Sequence, residues 1–357
     1  MSSPQAPEER PASAPPSATD ARLASKWRPK RPTLLLLSLL VLFLAAPLFA
    51  GSYVLSVLIL ILYSSYSGQA WNVMMGFAGQ LSLGHSLYVG VGAYTAAALF
   101  VHFNIGPWVG MWAAALVCML MGGFIGLLAF RFGISGTYFA LLTIAFAEFT
   151  RIGFDHFTWV GGSAGLFLPV AQRTSSDVMN LRGAPAMFYY VMLAMTVLAF
   201  VVCKALLSTR VGYYWLAIRE DPEAAQALGI NTFRYKMIAV VVSAALTSFS
   251  GVFFAFYYNN LFPEQIFNIG RSIEIILGPI FGGVGTLFGP IVGAIVLTVL
   301  GETLRSVTSA FGLEVPGLEL LFYGTCLLLV VMFLPNGIWP PLSRLLGIRS
   351  HHSSGKE

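Results

Sequence analysis

Charge is what this sequence has least of. Asp, Glu, Lys and Arg make up 10% of its 357 residues, against about 25% in a water-soluble domain. A chain this poor in charge cannot cover a globule of its size with polar groups, which argues against a soluble fold. Cysteine is nearly absent as well. Cys118, Cys203 and Cys326 all stand in apolar runs without metal-ligand spacing, so they read as small packing residues and imply no disulfide framework. The few lysines (Lys26, Lys30, Lys204, Lys236 and Lys356) never close a Gly-x-x-x-x-Gly-Lys-Ser/Thr loop, the usual backbone cradle for nucleotide phosphates. No Ser/His/Asp set, His/Asp metal cluster or paired cysteine lies in the apolar segments. Neither a metal site nor covalent catalysis is expected.

Apolar length is abundant instead. Hydrophobic residues reach 57% of the chain and mean hydropathy is +0.77. Leu34–Ala50, Trp108–Phe130 and Met187–Leu207 are nearly free of charge and apolar all round, as buried or membrane helices are. Roughly 17–25 such residues cross the hydrocarbon of a bilayer. The expected fold class is therefore all-α, a polytopic membrane protein with about ten transmembrane or re-entrant helices. The expected spans are Thr33–Ala50, Tyr53–Trp71, Gln80–Phe100, Trp108–Phe130, Thr137–Phe154, Met187–Leu207, Tyr235–Asn259, Ile269–Val284, Leu287–Arg305 and Gly317–Leu334. Several are shorter than a full crossing, and re-entry of these would change the count.

The formal charge of +5 does not form a nucleic-acid patch. Arg22, Lys26, Arg28, Lys30 and Arg31 cluster just before the first expected span, which holds that end on the cytoplasmic side. An even number of spans brings the C-terminal Arg344, Arg349 and Lys356 to the same side. Residues 1–32, rich in Pro, Ala and Ser, are expected to be a disordered cytoplasmic tail. The Leu-rich run after them is expected to stay as an anchor, because the tail before it is long and carries Glu8, Glu9 and Asp20. Residues 33–340 form the expected transmembrane domain, with a cytoplasmic loop at 208–234 and a cytoplasmic tail at 341–357.

That loop carries the sharpest local signal, Arg219-Glu220-Asp221-Pro222-Glu223-Ala224-Ala225-Gln-Ala-Leu-Gly229-Ile-Asn231. Asp221 suits an N-cap, Pro222 the first helical position and Glu223 the positive end of the dipole. Gly229 suits the left-handed residue that closes a Schellman end, with Ile230 as its apolar contact. A rod of about two turns is predicted, narrow at Ala224-Ala225 and able to enter a groove on another protein.

Glycine patterning supplies a second signal. Gly79-Gln-Leu-Ser82-Leu-Gly84-His85 and Gly282-Gly283-Val-Gly285-Thr-Leu-Phe-Gly289-Pro each place closely spaced glycines in an apolar segment. Such breaks in two halves of a chain point to interrupted helices lining a pathway; close helix packing through small residues is the other reading. His85, beside Ser82 and Ser86, is open to the same pair of readings, a pathway group or a hydrogen-bonded packing residue.

Together with Gly161-Gly-Ser-Ala-Gly165-Leu, these segments occur in an order and spacing that resembles the branched-chain amino-acid permease family of ABC importers, its LivM-type subunit in particular. The resemblance covers about Thr33 to Pro340; the Ile-x-Leu-Pro continuation often found after the Glu-Ala-Ala-x-x-x-Gly motif is absent. It implies a bacterial inner-membrane subunit that pairs with a homologous second permease, two ATPase subunits and a periplasmic solute-binding protein. It also implies that Glu220, Asp221, Pro222, Glu223, Ala224, Ala225 and Gly229 form the helix that docks on an ATPase. No cofactor is expected on this chain; ATP would be bound by the partner subunits. Urea-type permeases are similar enough to leave the substrate open.

Three oppositely charged pairs stand at i,i+3 inside expected spans: Glu148/Arg151, Arg271/Glu274 and Glu302/Arg305. Ionisable groups in lipid are costly unless paired or wet. In the expected topology all three lie toward the outer face, either lining a vestibule or seating a binding protein, or anchoring helix ends. A proton-coupled secondary transporter using Glu148, Glu274 or Glu302 is the competing function. It leaves the capped cytoplasmic helix unexplained, and each acid has an arginine nearby that would keep it ionised.

Overall fold

A computed structural model describes residues 43–47, 49, 51–169, 177–310 and 318–345. The expected N-terminal tail and most of the first expected span lie outside them; residues 43–47 are helical. The longer helices are α1 (Ser52–Asn72), α2 (His85–Phe103), α3 (Pro107–Arg131), α4 (Thr137–His156), α5 (Pro185–Leu207) and α6 (Arg210–Glu220). They are followed by the short α7 (Pro222–Ala227), then α8 (Thr232–Tyr258), the short α9 (Pro263–Ile266), α10 (Ile269–Gly282), α11 (Gly289–Ala310), α12 (Leu318–Phe333) and α13 (Trp339–Leu345). The described strands, β1 (Leu166–Phe167) and β2 (Asn260–Leu261), pair antiparallel and tie the α4–α5 connection to the end of α8.

Among the described residues, six helices are long and apolar enough to cross a membrane: α1 with its π-helical extension to Phe77, then α2, α3, α5, α8 and α11. The expected boundaries shift where backbone geometry intervenes. The span expected from Gln80 begins only at His85, because residues 78–84 leave the helix while staying largely buried. The span expected at Ile269–Val284 is a 14-residue helix ending at Gly282, about 21 Å long at 1.5 Å per residue and short of a full crossing. The C-terminal tail expected from residue 341 begins inside α13, where Trp339 and Ser343 are buried.

Local sequence accounts for many helix ends. α3, α5, α7 and α9 open on proline, whose fixed φ suits the first turn. α2 and α8 stop at Asn104 and Asn259, both left-handed, each N–H bonded back into its helix. The packing polarity is that of a membrane protein. α3 turns Gly110, Ala114, Ala115, Cys118, Gly122 and Gly126 inward and exposes Trp112, Leu116, Leu120, Phe124 and Leu127. Small residues let neighbouring backbones approach, while an exposed apolar stripe of this length belongs against lipid or another chain. α8 is the central element, packed against both α2 and α3; α11 packs between α10 and α1, and α1 also lies on α5.

Candidate functional site

The capped helix of the 208–234 loop is formed. The Asp221 side chain accepts from the Glu223 N–H at 2.9 Å and from the Ala224 N–H at 3.0 Å. At the other end Gly229 has φ 86°, the Ile230 N–H reaches the Ala225 carbonyl at 3.1 Å and the Gly229 N–H reaches that of Gln226 at 2.9 Å. These two bonds are the Schellman pattern. The expected narrow face needs correction. Ala225 is buried, 2% exposed, because it points into its own chain; Pro222, Glu223, Ala224 and Leu228 face outward. Leu228, 82% exposed, is the large apolar side chain that α7 and its C-cap present outward. Glu220 pairs at the surface with Arg219 at 3.3 Å.

Arg219, at the end of α6, links this surface helix to the buried interior. Its Nη1 donates to the Gly76 carbonyl at 2.6 Å, in the π-helical turn Val73–Phe77 that closes α1. Beside it, the Asn72 side chain holds the second glycine-rich segment at two points. Asn72 Nδ2 donates to the Thr286 carbonyl at 2.9 Å, and Asn72 Oδ1 accepts from the Gly285 N–H at 2.8 Å. Arg219 thus lies against both segments singled out in the sequence, beside Gly79 and beside Gly285. Gly79 and Ser82 lie in the junction between α1 and α2, which Gly84 closes as the N-cap of α2. Gly282 ends α10, Gly283 and Gly285 lie in the α10–α11 junction, and Gly289 opens α11. Gly285 has φ 78°, and a Cβ there would overlap the Arg219 guanidinium. Only glycine combines that backbone with that approach.

His85 is fully buried and bonded at both ring nitrogens. Ser243 Oγ donates to the Ala70 carbonyl at 2.7 Å, so it accepts from His85 Nε2–H at 3.0 Å. His85 Nδ1 is then the acceptor for the Ser82 hydroxyl at 3.1 Å. The ring is a neutral tie between the α1–α2 junction and α8. Trp71 Nε1 donates to the Ser82 carbonyl at 2.9 Å, and the Leu83 N–H donates to Thr143 Oγ1 at 3.1 Å. Non-helical backbone at membrane depth must be paired in this way. Nothing here leaves His85 an open valence for a solute.

The three charged pairs all form, but they do not share one site. Arg271 and Glu274 meet at 3.0 Å, and Arg305 and Glu302 at 3.3 Å. Arg271, Glu302 and Arg305 line one cavity of ≈ 540 Å³ between α1, α8, α10 and α11. Glu148 and Arg151 are elsewhere. Arg151 bridges Glu148 at 2.6 Å and Asp155 at 2.8 Å on α4, and neither Glu148 nor Arg151 lines that cavity. Sequence reading missed Asp155, although its i,i+4 spacing to Arg151 was visible. It also missed Tyr53, whose hydroxyl donates to Glu302 at 2.7 Å across 249 residues, and Asn72; nothing local signals either. Among the described residues no His, Cys, Asp and Glu group is placed to hold a metal ion.

Comparison with known proteins decides the family. The family described as "Branched-chain amino acid transport system / permease component" matches residues 49–331, most of the chain. The chain belongs to that family. The high-affinity branched-chain amino acid transport system permease protein LivM of Escherichia coli is 28% identical over 345 residues, 91% of this chain and 79% of its own. LivH of the same organism, also a high-affinity branched-chain amino acid transport system permease protein, is 28% identical over 130 residues, 36% of this chain and 40% of its own. The fructose import permease protein FrcC of Rhizobium meliloti is 29% identical over 130 residues, 35% of this chain and 36% of its own. No solved structure matches. This member of the family is thus a multi-pass helical membrane protein, and the network just described connects its capped surface helix to its interrupted spans.

Proposed function

We propose that this permease forms, with a homologous second permease subunit, the pathway of an ABC importer in the bacterial inner membrane. Its substrates are branched-chain or similar small amino acids, delivered by a periplasmic solute-binding protein. ATP is hydrolysed by two partner ATPase subunits. The observation that carries the reading is the capped helix α7, exposed at Glu223, Ala224 and Leu228 and connected through Arg219 to the Gly76 carbonyl at 2.6 Å. An isolated helix of this length is marginal in water, so its two caps preserve a rigid rod for contact. A push on α7 is carried through α6 and Arg219 to the point where the two glycine-rich junctions meet. Those junctions are the interrupted backbone that a rocking pathway uses. The charged pairs support this reading over proton coupling, since Glu148, Glu274 and Glu302 each lie within 3.3 Å of an arginine.

The test is co-purification of the detergent-solubilised chain with its ATPases, comparing wild type with Glu223→Arg/Gly229→Trp. Uptake of leucine, isoleucine, valine and urea by the reconstituted importer is measured alongside. ATPase retention by wild type and its loss in the double variant are expected, with amino-acid uptake exceeding that of urea. Absence of any ATPase from the wild-type preparation overturns the importer assignment.

A further inference from the structure

The cavity between α1, α8, α10 and α11 is not a generic apolar cleft. Its ≈ 540 Å³ is in the range of small-ligand sites, ~300–1,000 Å³. Tyr53, Tyr63, Phe254 and Tyr257 share its lining with Arg271 and Glu302. It lies where α1 and α10 begin and α8 and α11 end, opposite the end of the bundle that carries α7.

The polar groups in it are unevenly satisfied. The Arg271 guanidinium stacks on the Phe254 ring at 4.8 Å and gives Nη1 to Glu274, while its buried Nε has no hydrogen-bond partner among the described residues. An unmet buried donor on a cation is costly, and an incoming carboxylate would satisfy it. Glu302 takes Tyr53 on one carboxylate oxygen and Arg305 on the other. Each oxygen keeps a lone pair for an ammonium. Arg271 and Arg305 against Glu302 and the adjoining Glu274 sum to zero charge. A net anion or cation would therefore leave an uncompensated charge, whereas a zwitterion adds none. The aromatic rings beside them suit an apolar side chain.

We propose that this cavity binds a free amino acid with an apolar side chain, its carboxylate on Arg271, its ammonium on Glu302 and its side chain on the aromatic wall. The inference rests on the importer reading and adds the residues that would recognise the substrate within this chain. The site is a weak transfer station, since tight binding would hold back release toward the cell interior. The same zwitterionic chemistry occurs in an ethanolamine lipid headgroup, and the test separates the two.

The complete transporter, reconstituted without nucleotide or binding protein, is probed by saturation-transfer NMR with L-leucine, 4-methylpentanoate, 3-methylbutylamine and glycerophosphoethanolamine. Leucine is expected to bind at least tenfold more tightly than either compound lacking one charged group, and Arg271→Gln to weaken it at least tenfold. If that variant does not assemble, Glu302→Gln takes its place, with the same loss expected. Unchanged leucine binding in the assembled variant overturns the proposal, as does displacement of leucine by equimolar glycerophosphoethanolamine, which would mark a headgroup seat. Wild-type uptake driven by binding protein and ATP is measured in parallel. Uptake without direct leucine binding sinks this inference alone, whereas no amino-acid uptake at all sinks the importer reading.

Discussion

Replacing Arg219 by Met keeps an unbranched apolar stem and removes the guanidinium with its charge. The native guanidinium donates to the Gly76 carbonyl at 2.6 Å, and its side chain is 23% exposed. A hydrogen bond to a charged group contributes about 1.5–3 kcal/mol when shielded from water; partial exposure reduces this to about 1–2 kcal/mol. One to two kcal/mol changes a two-state balance by about 5- to 30-fold, enough to loosen the link between α6 and the π-helical turn while the bundle stays assembled. The expected phenotype is uncoupling: ATPase activity of the reconstituted importer persists and amino acid transported per ATP falls about fivefold or more. A double-mutant cycle sharpens this. Gly285→Ala places a methyl group against the Arg219 guanidinium and strains a backbone at φ 78°, costing about 1–2 kcal/mol from the left-handed conformation alone. In the Arg219→Met background the contact with the guanidinium is gone, so the two effects on thermal stability should fall short of additivity by about 0.5 kcal/mol or more. Wild-type transport per ATP in Arg219→Met, together with full additivity, refutes the proposed linkage.

Other outcomes follow from single contacts. Asp221→Ala removes the cap on α7 and should cost about 1 kcal/mol locally, seen as faster hydrogen exchange at the Glu223 and Ala224 amides; unchanged exchange rejects the cap. His85→Leu leaves Ser82 and Ser243 without their partner and should destabilise the assembled permease by about 1–3 kcal/mol. Transport per assembled complex should hold, and a selective loss of transport at normal thermal stability would restore a pathway role. The Asp177 carboxyl is held below its ordinary value, first by the Asn180 side chain and then by the Asn180 and Met179 N–H groups. A lowered carboxyl contributes order above the ordinary pKa of about 3.9 and loses it as pH falls through the lowered value. Exchange protection at Met179 and Asn180 should therefore be flat from neutral pH down to about 5 and fade only in stronger acid.

Sequence alone determined the class of this protein and its local devices. Scarce charge and all-round apolar runs leave a bilayer as the natural solvent, because no polar surface is available. The ends of α7 were legible because capping is written in residues one to three positions apart. The i,i+3 pairs were legible for the same reason, since one helical turn brings them together. Tertiary structure decided what those devices touch. Ala225 turned inward and Leu228 outward, because the rotation of α7 is set by its packing rather than by its own residues. The two glycine-rich segments met at Arg219, and Tyr53 met Glu302 across 249 residues; no local pattern encodes a contact between helices far apart in the chain. The same holds for the division of the charged pairs, Arg271, Glu302 and Arg305 on one cavity and Arg151 with Glu148 and Asp155 elsewhere. Spacing along a helix fixes which side chains are neighbours on it, and only the packing of helices fixes which neighbours share a space.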